Sequence, residues 1–156
     1  MRTAGLRSGC WIDFADMPIA LATTNAAIMR CFPVMSQLRP HLMEADFVAR
    51  VKRQQRAGYH LAYLSDKKGV HAVAGFRFLE SLSAGKFMYV DDLVTAEKVR
   101  SQGHGQKLFK WLLAEARRRR CEQLQLDSGV HRFGAHRFYL SSRMDIVAHH
   151  FSLKLQ

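Results

Sequence analysis

The chain has 156 residues, 48% apolar and 24% charged, a composition typical of one globular domain with a buried core. Lysine and arginine together number 24 and aspartate and glutamate 13, which gives a formal net charge of +11. No stretch approaches the roughly 20 apolar residues that cross a bilayer, and three cysteines without metal-ligand or CxxC spacing predict reduced thiols in a cytoplasmic protein.

The first quarter of the chain predicts a short strand and two helices. Residues 1–16 show no sustained periodicity and are predicted to be a loose N-terminal extension, which leaves one domain over residues 17–156. A strand is predicted over 19–23, followed by a helix that Asn25 caps and Pro33 disturbs. Apolar residues at helical spacing after Pro40 predict a second helix that ends near Gly58.

The middle of the chain is rich in β-forming residues. Strands are predicted over 59–64, 70–79 and 87–94. The segment 66–69, Asp-Lys-Lys-Gly, has the composition of a hairpin turn, and 83–85, Ser-Ala-Gly, predicts a second turn.

The segment 100–105, Arg-Ser-Gln-Gly-His-Gly, lies between the strand over 87–94 and a helix that begins near Gln106. Glycines let the backbone approach a ligand closely, and the first N–H groups of a helix lack intrahelical partners and favour an anion. The segment therefore predicts a phosphate-bearing ligand. It is not a nucleotide-hydrolysing P-loop, because no Lys-Ser/Thr pair follows Gly105, and Leu108 replaces the third glycine of a dinucleotide-binding fingerprint.

The last third of the chain predicts alternating helices and strands. Apolar residues after Gln106 continue at helical spacing to residue 116, and a strand over 123–127, a helix over 132–140 and a closing strand over 149–155 follow. The whole order of elements predicts an α/β (α+β) domain: a mixed, mostly antiparallel sheet flanked by helices.

The strongly basic charge favours nucleic-acid binding on one interpretation and attraction of an anionic cofactor on another. The densest basic run, residues 117–120, closes the predicted helix after Gly105. Cations at a helix C-terminus are favoured by roughly 0.3–1 kcal/mol each, and no nucleic-acid-binding motif lies beside the run. We therefore favour a structural role for this run and expect neither nucleic acid nor a membrane as a partner.

Three segments together resemble the GNAT superfamily of acetyl-CoA-dependent N-acetyltransferases. The Arg/Gln-x-x-Gly-x-Gly pattern of residues 100–105 resembles the family's acetyl-CoA loop, residues 89–95 its central strand, and residues 135–139, Ala-His-Arg-Phe-Tyr, its Ala-x-x-Phe-Tyr helix. They occur in the family's order and at similar distances, and the similarity extends essentially from Met17 to Leu155.

This resemblance implies a single-domain GNAT fold, acetyl-CoA as cosubstrate and no metal. It implies that the loop binds pyrophosphate mainly through its backbone and that the central strand offers unpaired N–H groups to the cofactor. The implied cofactor-binding residues are Leu93, Val94, Thr95, Arg100, Ser101, Gln102, Gly103, His104, Gly105 and Gln106. We expect the His104 side chain to face solvent.

Candidate catalytic residues are Tyr139, Asp91 and Asp92. The resemblance places the Tyr139 hydroxyl near the cofactor sulfur, as a proton donor to the departing thiolate. Asp91 and Asp92 are candidates for receiving the amine's proton, directly or through water. Since neighbouring strand residues point to opposite faces, we expect only one of them to face the substrate.

The expected activity is transfer of an acetyl group from acetyl-CoA to a primary amine of an unidentified acceptor by direct attack. The alternative is a non-catalytic protein of the same fold that senses CoA or binds nucleic acid. Dimers are frequent in the family, so a homodimer is an open expectation. The family's glycine after the tyrosine helix is replaced by Arg143, which would cost around 1 kcal/mol in a left-handed cap, and we therefore expect a differently shaped helix end.

Overall fold

The computed structural model describes residues 17–155, and the expected extension over residues 1–16 lies outside them. Within the described part, five strands form a sheet in the order β1-β2-β3-β4-β5. They are β1 Ile19–Leu21, β2 Tyr59–Asp66, β3 Gly69–Ser81, β4 Gly85–Thr95 and β5 Gln123–Leu126. All neighbours are antiparallel except the parallel pair β4 and β5. The prediction of a mixed, mostly antiparallel sheet is confirmed.

Four α-helices accompany the sheet in the described residues: α1 Asn25–Leu38, α2 Glu44–Arg56, α3 His104–Arg118 and α4 Phe133–Ser141. The cap of α1 is Thr24 and not Asn25, because the Thr24 hydroxyl accepts a hydrogen bond from the Ala27 N–H at 3.2 Å. Pro33 lies inside α1 without ending it. None of the described helices is long and apolar enough to cross a membrane.

The sheet carries a buried apolar layer on each face. On one face, Leu108 and Leu112 of α3 pack with Phe76 and Met88 of the sheet. On the other face, α1 and α2 contribute the residues Ile28, Cys31, Val34, Met35, Phe47 and Val51, which pack with Leu61, Val73 and Val94. The helices on both faces therefore hold β3 and β4 at the centre of the domain.

Strands β4 and β5 separate halfway along β4. Their pairing begins at Phe87 with Gln123 and ends at Val90 with Leu126, whereas β4 continues to Thr95. Beyond Val90, β4 is paired with β3 on one side and with no described strand on the other. This gap between β4 and β5 is where the candidate site lies.

The predicted closing strand over 149–155 is wrong: this segment pairs with no strand among residues 17–155. Its apolar side chains are exposed, Phe151 by 90% and Leu153 by 84%. Alternating polarity indicates a strand only where a neighbouring edge accepts its hydrogen bonds. The His150 imidazole lies 2.9 Å from the Asp127 carboxylate, just beyond β5.

The expected distortion at the end of α4 is also wrong. Arg143 adopts the left-handed conformation, with φ of 64°, that glycine would take with less strain. Met144 N–H donates to the Tyr139 carbonyl at 3.1 Å and Arg143 N–H to the Leu140 carbonyl at 3.0 Å. These two bonds form a Schellman cap, so the usual helix end is kept despite the arginine.

Candidate active site

A cavity of about 880 Å³ opens between the separated end of β4, the start of α3 and α4. The residues of the sequence prediction that line it are Leu93, Val94, Thr95, Arg100, Ser101, Gly103, His104, Gly105 and Gln106. Gln102 is the one predicted cofactor-binding residue that does not line it. A volume of this size is typical of a site for a cofactor or drug-sized ligand.

The predicted phosphate loop, residues 100–106, leads into the N-terminus of α3 at this cavity. Gly103 precedes the helix with φ of 84°, a left-handed conformation that favours glycine. Its carbonyl accepts the Lys107 N–H at 2.9 Å, which closes the first helical turn. No acidic residue lies in that turn, so no side chain there offsets the positive end of the helix dipole, which favours an external anion.

His104 is buried, 2% exposed, and the expectation that it faces solvent is wrong. Its ring stacks on the His71 ring of β3, with centroids 5.0 Å apart. His71 Nε2 in turn lies 2.7 Å from the Asp66 carboxylate. Burial is the first cause that lowers the pKa of His104, and the neighbouring His71 adds to it. His104 therefore supports the phosphate loop from beneath as a neutral ring at pH 7.

Tyr139 lines the same cavity from α4. Its ring packs against Phe109 and Phe138, with centroids 6.5 Å and 5.5 Å away. Burial raises the pKa of Tyr139, and Arg132 opposes this. The hydroxyl consequently keeps its proton at neutral pH, which a proton donor requires.

Asp91 and Asp92 lie on the same face of the sheet, against the sequence prediction that only one would face the substrate. Gly75 of β3 is opposite Asp92, but the next residue, Phe76, is opposite Val90. Asp91 is therefore the extra residue of a β-bulge, and a bulge interrupts the alternation of side chains along a strand. Both aspartates line a second cavity, of about 270 Å³, between α1, α2 and β4.

Two arginines and a tyrosine hold this carboxylate pair. Arg39 Nε donates to Asp92 Oδ1 at 2.8 Å and Nη2 to the Asp91 carbonyl at 3.0 Å. Arg77 Nε donates to Asp91 Oδ2 at 3.0 Å, and the Tyr59 hydroxyl to Asp92 Oδ2 at 3.0 Å. Burial is the first cause that raises the pKa of Asp91; Arg77 opposes it, and the Asp92 charge adds to it. Asp91 is thus a stronger base than a solvated aspartate.

The sequence reasoning missed Arg39, Tyr59 and Arg77, which lie 14 to 53 positions from their partners. Their role depends on the packing of α1 and β2 around β4, which no local motif encodes. One signal was present in Gly75: an isolated glycine in an apolar strand often marks a bulge or a close approach.

The sequence model of the Acetyltransferase (GNAT) family matches residues 22–143. The chain belongs to the GNAT acetyltransferase family. A Bacillus subtilis (strain 168) protein described as uncharacterized N-acetyltransferase YhdJ is 32% identical over 109 residues, 69% of this chain and 77% of the relative. The family thereby supports acetyl transfer as the general activity.

Solved structures share the GNAT fold of this chain at low sequence identity. A transcriptional regulator from Bacillus halodurans C-125 superposes with a TM-score of 0.76 at 20% identity, covering 90% of this chain and 99% of that one. Glucosamine-6-phosphate N-acetyltransferase from Arabidopsis thaliana superposes with a TM-score of 0.72 at 16% identity, covering 90% and 99%. At these identities the likeness establishes the fold alone.

Proposed function

We propose that this GNAT protein transfers an acetyl group from acetyl-CoA to a primary amine by direct attack, in the cytoplasm. The observation that carries the proposal is the meeting of two cavities at one strand. Leu93 lines the larger cavity, beside the phosphate loop, while the preceding residue, Asp92, lines the smaller one. We place the thioester in the first cavity and the amine in the second, at neighbouring residues of β4.

The larger cavity fits the cosubstrate. The N–H groups of the phosphate loop and the start of α3 bind the pyrophosphate, with Gly103 and Gly105 allowing close approach. The unpaired edge of β4 from Leu93 to Thr95 opposes the pantetheine arm and polarises the thioester carbonyl. Fixed N–H donors of this kind contribute roughly 2.7–4 kcal/mol each in oxyanion sites.

The carboxylate pair and Tyr139 manage the protons of the reaction. The amine loses its proton to Asp91 or Asp92, directly or through water, and its lone pair forms the C–N bond. The C–S bond breaks, and the leaving thiolate takes the proton of the Tyr139 hydroxyl. The second proton of the attacking nitrogen then passes to the Tyr139 oxygen, which leaves a neutral amide, the CoA thiol and a restored tyrosine. The raised pKa of Asp91 favours it over a solvated carboxylate as the acceptor of the first proton.

The first experiment titrates the protein with acetyl-CoA in a calorimeter and then follows free-thiol release with a panel of primary amines. We expect heat of binding at micromolar cosubstrate and thiol release that depends on the amine. Absence of heat at high micromolar acetyl-CoA would refute the proposal.

Binding without catalysis, to CoA or to nucleic acid, is the second candidate function, and the net charge of +11 motivates it. The basic run at the end of α3 gives it little support. Glu115 accepts hydrogen bonds from Arg118 at 2.7 and 2.6 Å and from Arg119 at 3.2 Å, which neutralises part of the run. Duplex DNA binding that survives physiological salt would favour this second function, and binding lost by about 200 mM salt would indicate diffuse attraction only.

A homodimer remains part of the proposal. The segment after α4 exposes Ile146, Val147, Phe151, Leu153 and Leu155, each by more than 70%. A second copy that covers these side chains would remove apolar surface from water. Light scattering of the purified protein measures the mass directly, and a monomer at 100 µM would contradict this expectation.

A further inference from the structure

The smaller cavity carries opposite charges on opposite walls. Asp91 and Asp92 come from β4, with side chains 27% and 13% exposed. Arg50 and Arg53 come from α2, where their spacing of three residues puts them on one helix face. Both arginines are exposed, so the carboxylates lie deep and the arginines lie at the rim.

The rim arginines differ from the other arginines around the carboxylates. Arg39 and Arg77 are held in hydrogen bonds with Asp92 and Asp91. Arg50 and Arg53, in contrast, have no hydrogen bond, ion pair or ring contact with any residue of the range 17–155. Both are exposed and line the cavity, and guanidinium matches carboxylate and phosphate in geometry.

The small volume of the cavity favours a small acceptor. At about 30 Å³ per water, 270 Å³ holds on the order of ten non-hydrogen atoms. A molecule of this size, with its amine at the deep carboxylates, reaches the rim with its other end. A second cationic group there would be repelled by Arg50 and Arg53, whereas an anionic group would be attracted.

We propose that the acceptor is a small amine that also carries an anionic group, a carboxylate or a phosphate, which Arg50 and Arg53 bind. The inference rests on the proposed acetyl transfer, because it assigns the amine end to Asp91 and Asp92. It goes beyond that function by excluding polyamines and uncharged amines as preferred acceptors.

The test compares five amines of similar length by free-thiol release. β-Alanine carries a carboxylate, O-phosphoethanolamine a phosphate, ethanolamine and propylamine no second charge, and 1,3-diaminopropane a second cation. We expect kcat/KM for at least one anionic amine to exceed that for the uncharged amines by about tenfold, since two exposed ion pairs contribute a few-fold each. The first two amines distinguish carboxylate from phosphate.

The double variant Arg50→Gln/Arg53→Gln connects this preference to α2. It should lower kcat/KM for the anionic amine by about tenfold, through KM, and leave the uncharged amines unchanged. Arg56→Gln is the matched control, because Arg56 is in the same helix but does not line the cavity. Equal kcat/KM for all five amines, or a preference for 1,3-diaminopropane, overturns the inference, as does unchanged selectivity in the double variant.

A direct titration separates this inference from the proposed transfer. O-Phosphoethanolamine and β-alanine are titrated into the protein saturated with CoA, and binding is measured without turnover. Binding that the double variant loses supports the anionic acceptor even if no thiol is released, in which case only the transfer fails. If uncharged amines release thiol but neither anionic amine binds, the anionic acceptor is refuted and the proposed acetyl transfer stands.

Discussion

Replacing Gly75 by alanine tests how the carboxylate pair is held. A Cβ atom at this position would lie 2.5 Å from Cζ and 2.6 Å from Cε2 of the Tyr59 ring. Tyr59 is 4% exposed, and the Arg77 guanidinium lies 5.3 Å from its ring centroid, so moving the ring disturbs the neighbours that hold it. The substitution must therefore displace Tyr59 and break its hydrogen bond to Asp92.

The expected cost follows from these two effects. Overpacking a core costs about 1–3 kcal/mol, and losing a hydrogen bond to a charged group about 1.5–3 kcal/mol. Together they lower the free energy of unfolding by roughly 2.5 to 6 kcal/mol, or Tm by about 5–24 °C in a domain of this size. The acceptor kcat/KM falls as well, while the Kd for acetyl-CoA is unchanged because Gly75 does not line the larger cavity.

Thermal unfolding followed by circular dichroism measures the stability change, and a double-mutant cycle identifies its cause. In a Tyr59→Ala background the obstacle is gone, so Gly75→Ala should cost less than about 1 kcal/mol there. Gly134→Ala is the control, because no atom lies within 4 Å of its added Cβ. Two results would refute the reasoning. One is a double variant whose loss of stability equals the sum of the two single losses, and the other is a Gly75→Ala variant with the Tm of the parent.

Four further changes test the rest of the structure. Gly105→Ala puts a Cβ 2.9 Å from Thr95 Oγ1 inside the larger cavity, and calorimetry should show about tenfold weaker acetyl-CoA binding; unchanged affinity would remove the loop from the site. Tyr139→Phe should lower kcat about a hundredfold with the Kd for acetyl-CoA unchanged, and parental turnover would rule out its role as acid. Arg143→Gly relieves a positive φ and should raise Tm by about 2–4 °C; no rise would mean that the cap is unstrained. Burial lowers the pKa of His104 in the folded state, so the unfolded state binds a proton at this residue more readily. The free energy of unfolding therefore keeps its full value above about pH 6.5 and falls below that pH by at most about 1.4 kcal/mol per pH unit. In urea unfolding, the free energy of unfolding of His104→Gln should depend less on pH, and an equal pH dependence in variant and parent would contradict this.

Much of the fold and of the lining of the larger cavity was predictable because its signals are local. Gly103 and Gly105 follow a β-rich segment and precede apolar residues at helical spacing. A window of about 30 residues therefore predicts the strand, the loop and the helix together. The predicted segments 59–64, 70–79 and 132–140 each correspond to an observed element, with ends that differ by one or two residues. Each of these patterns depends on neighbours along the chain.

Two of the wrong predictions concern contacts between distant segments. The segment 149–155 has the alternation of a strand but no edge to pair with in the described residues. His104 seemed exposed because it lies in a polar loop, yet His71 of β3 offers a ring to stack on. A local pattern carries no information about which surface will lie opposite it.

The bulge at Asp91 shows why the carboxylates could not be assigned from alternation alone. In a regular strand, Asp92 would share the face of Val90, which packs with Leu108 and Leu112. A carboxylate without a partner in that apolar layer would cost several kcal/mol. The extra residue moves Asp92 to the opposite face, where Arg39 and Tyr59 compensate its charge. The Tyr59 side chain passes over Gly75 to reach Asp92, and glycine leaves room for the ring because an added Cβ atom would overlap it. Gly75 and the bulge therefore act together, and the proposed acceptor site depends on both.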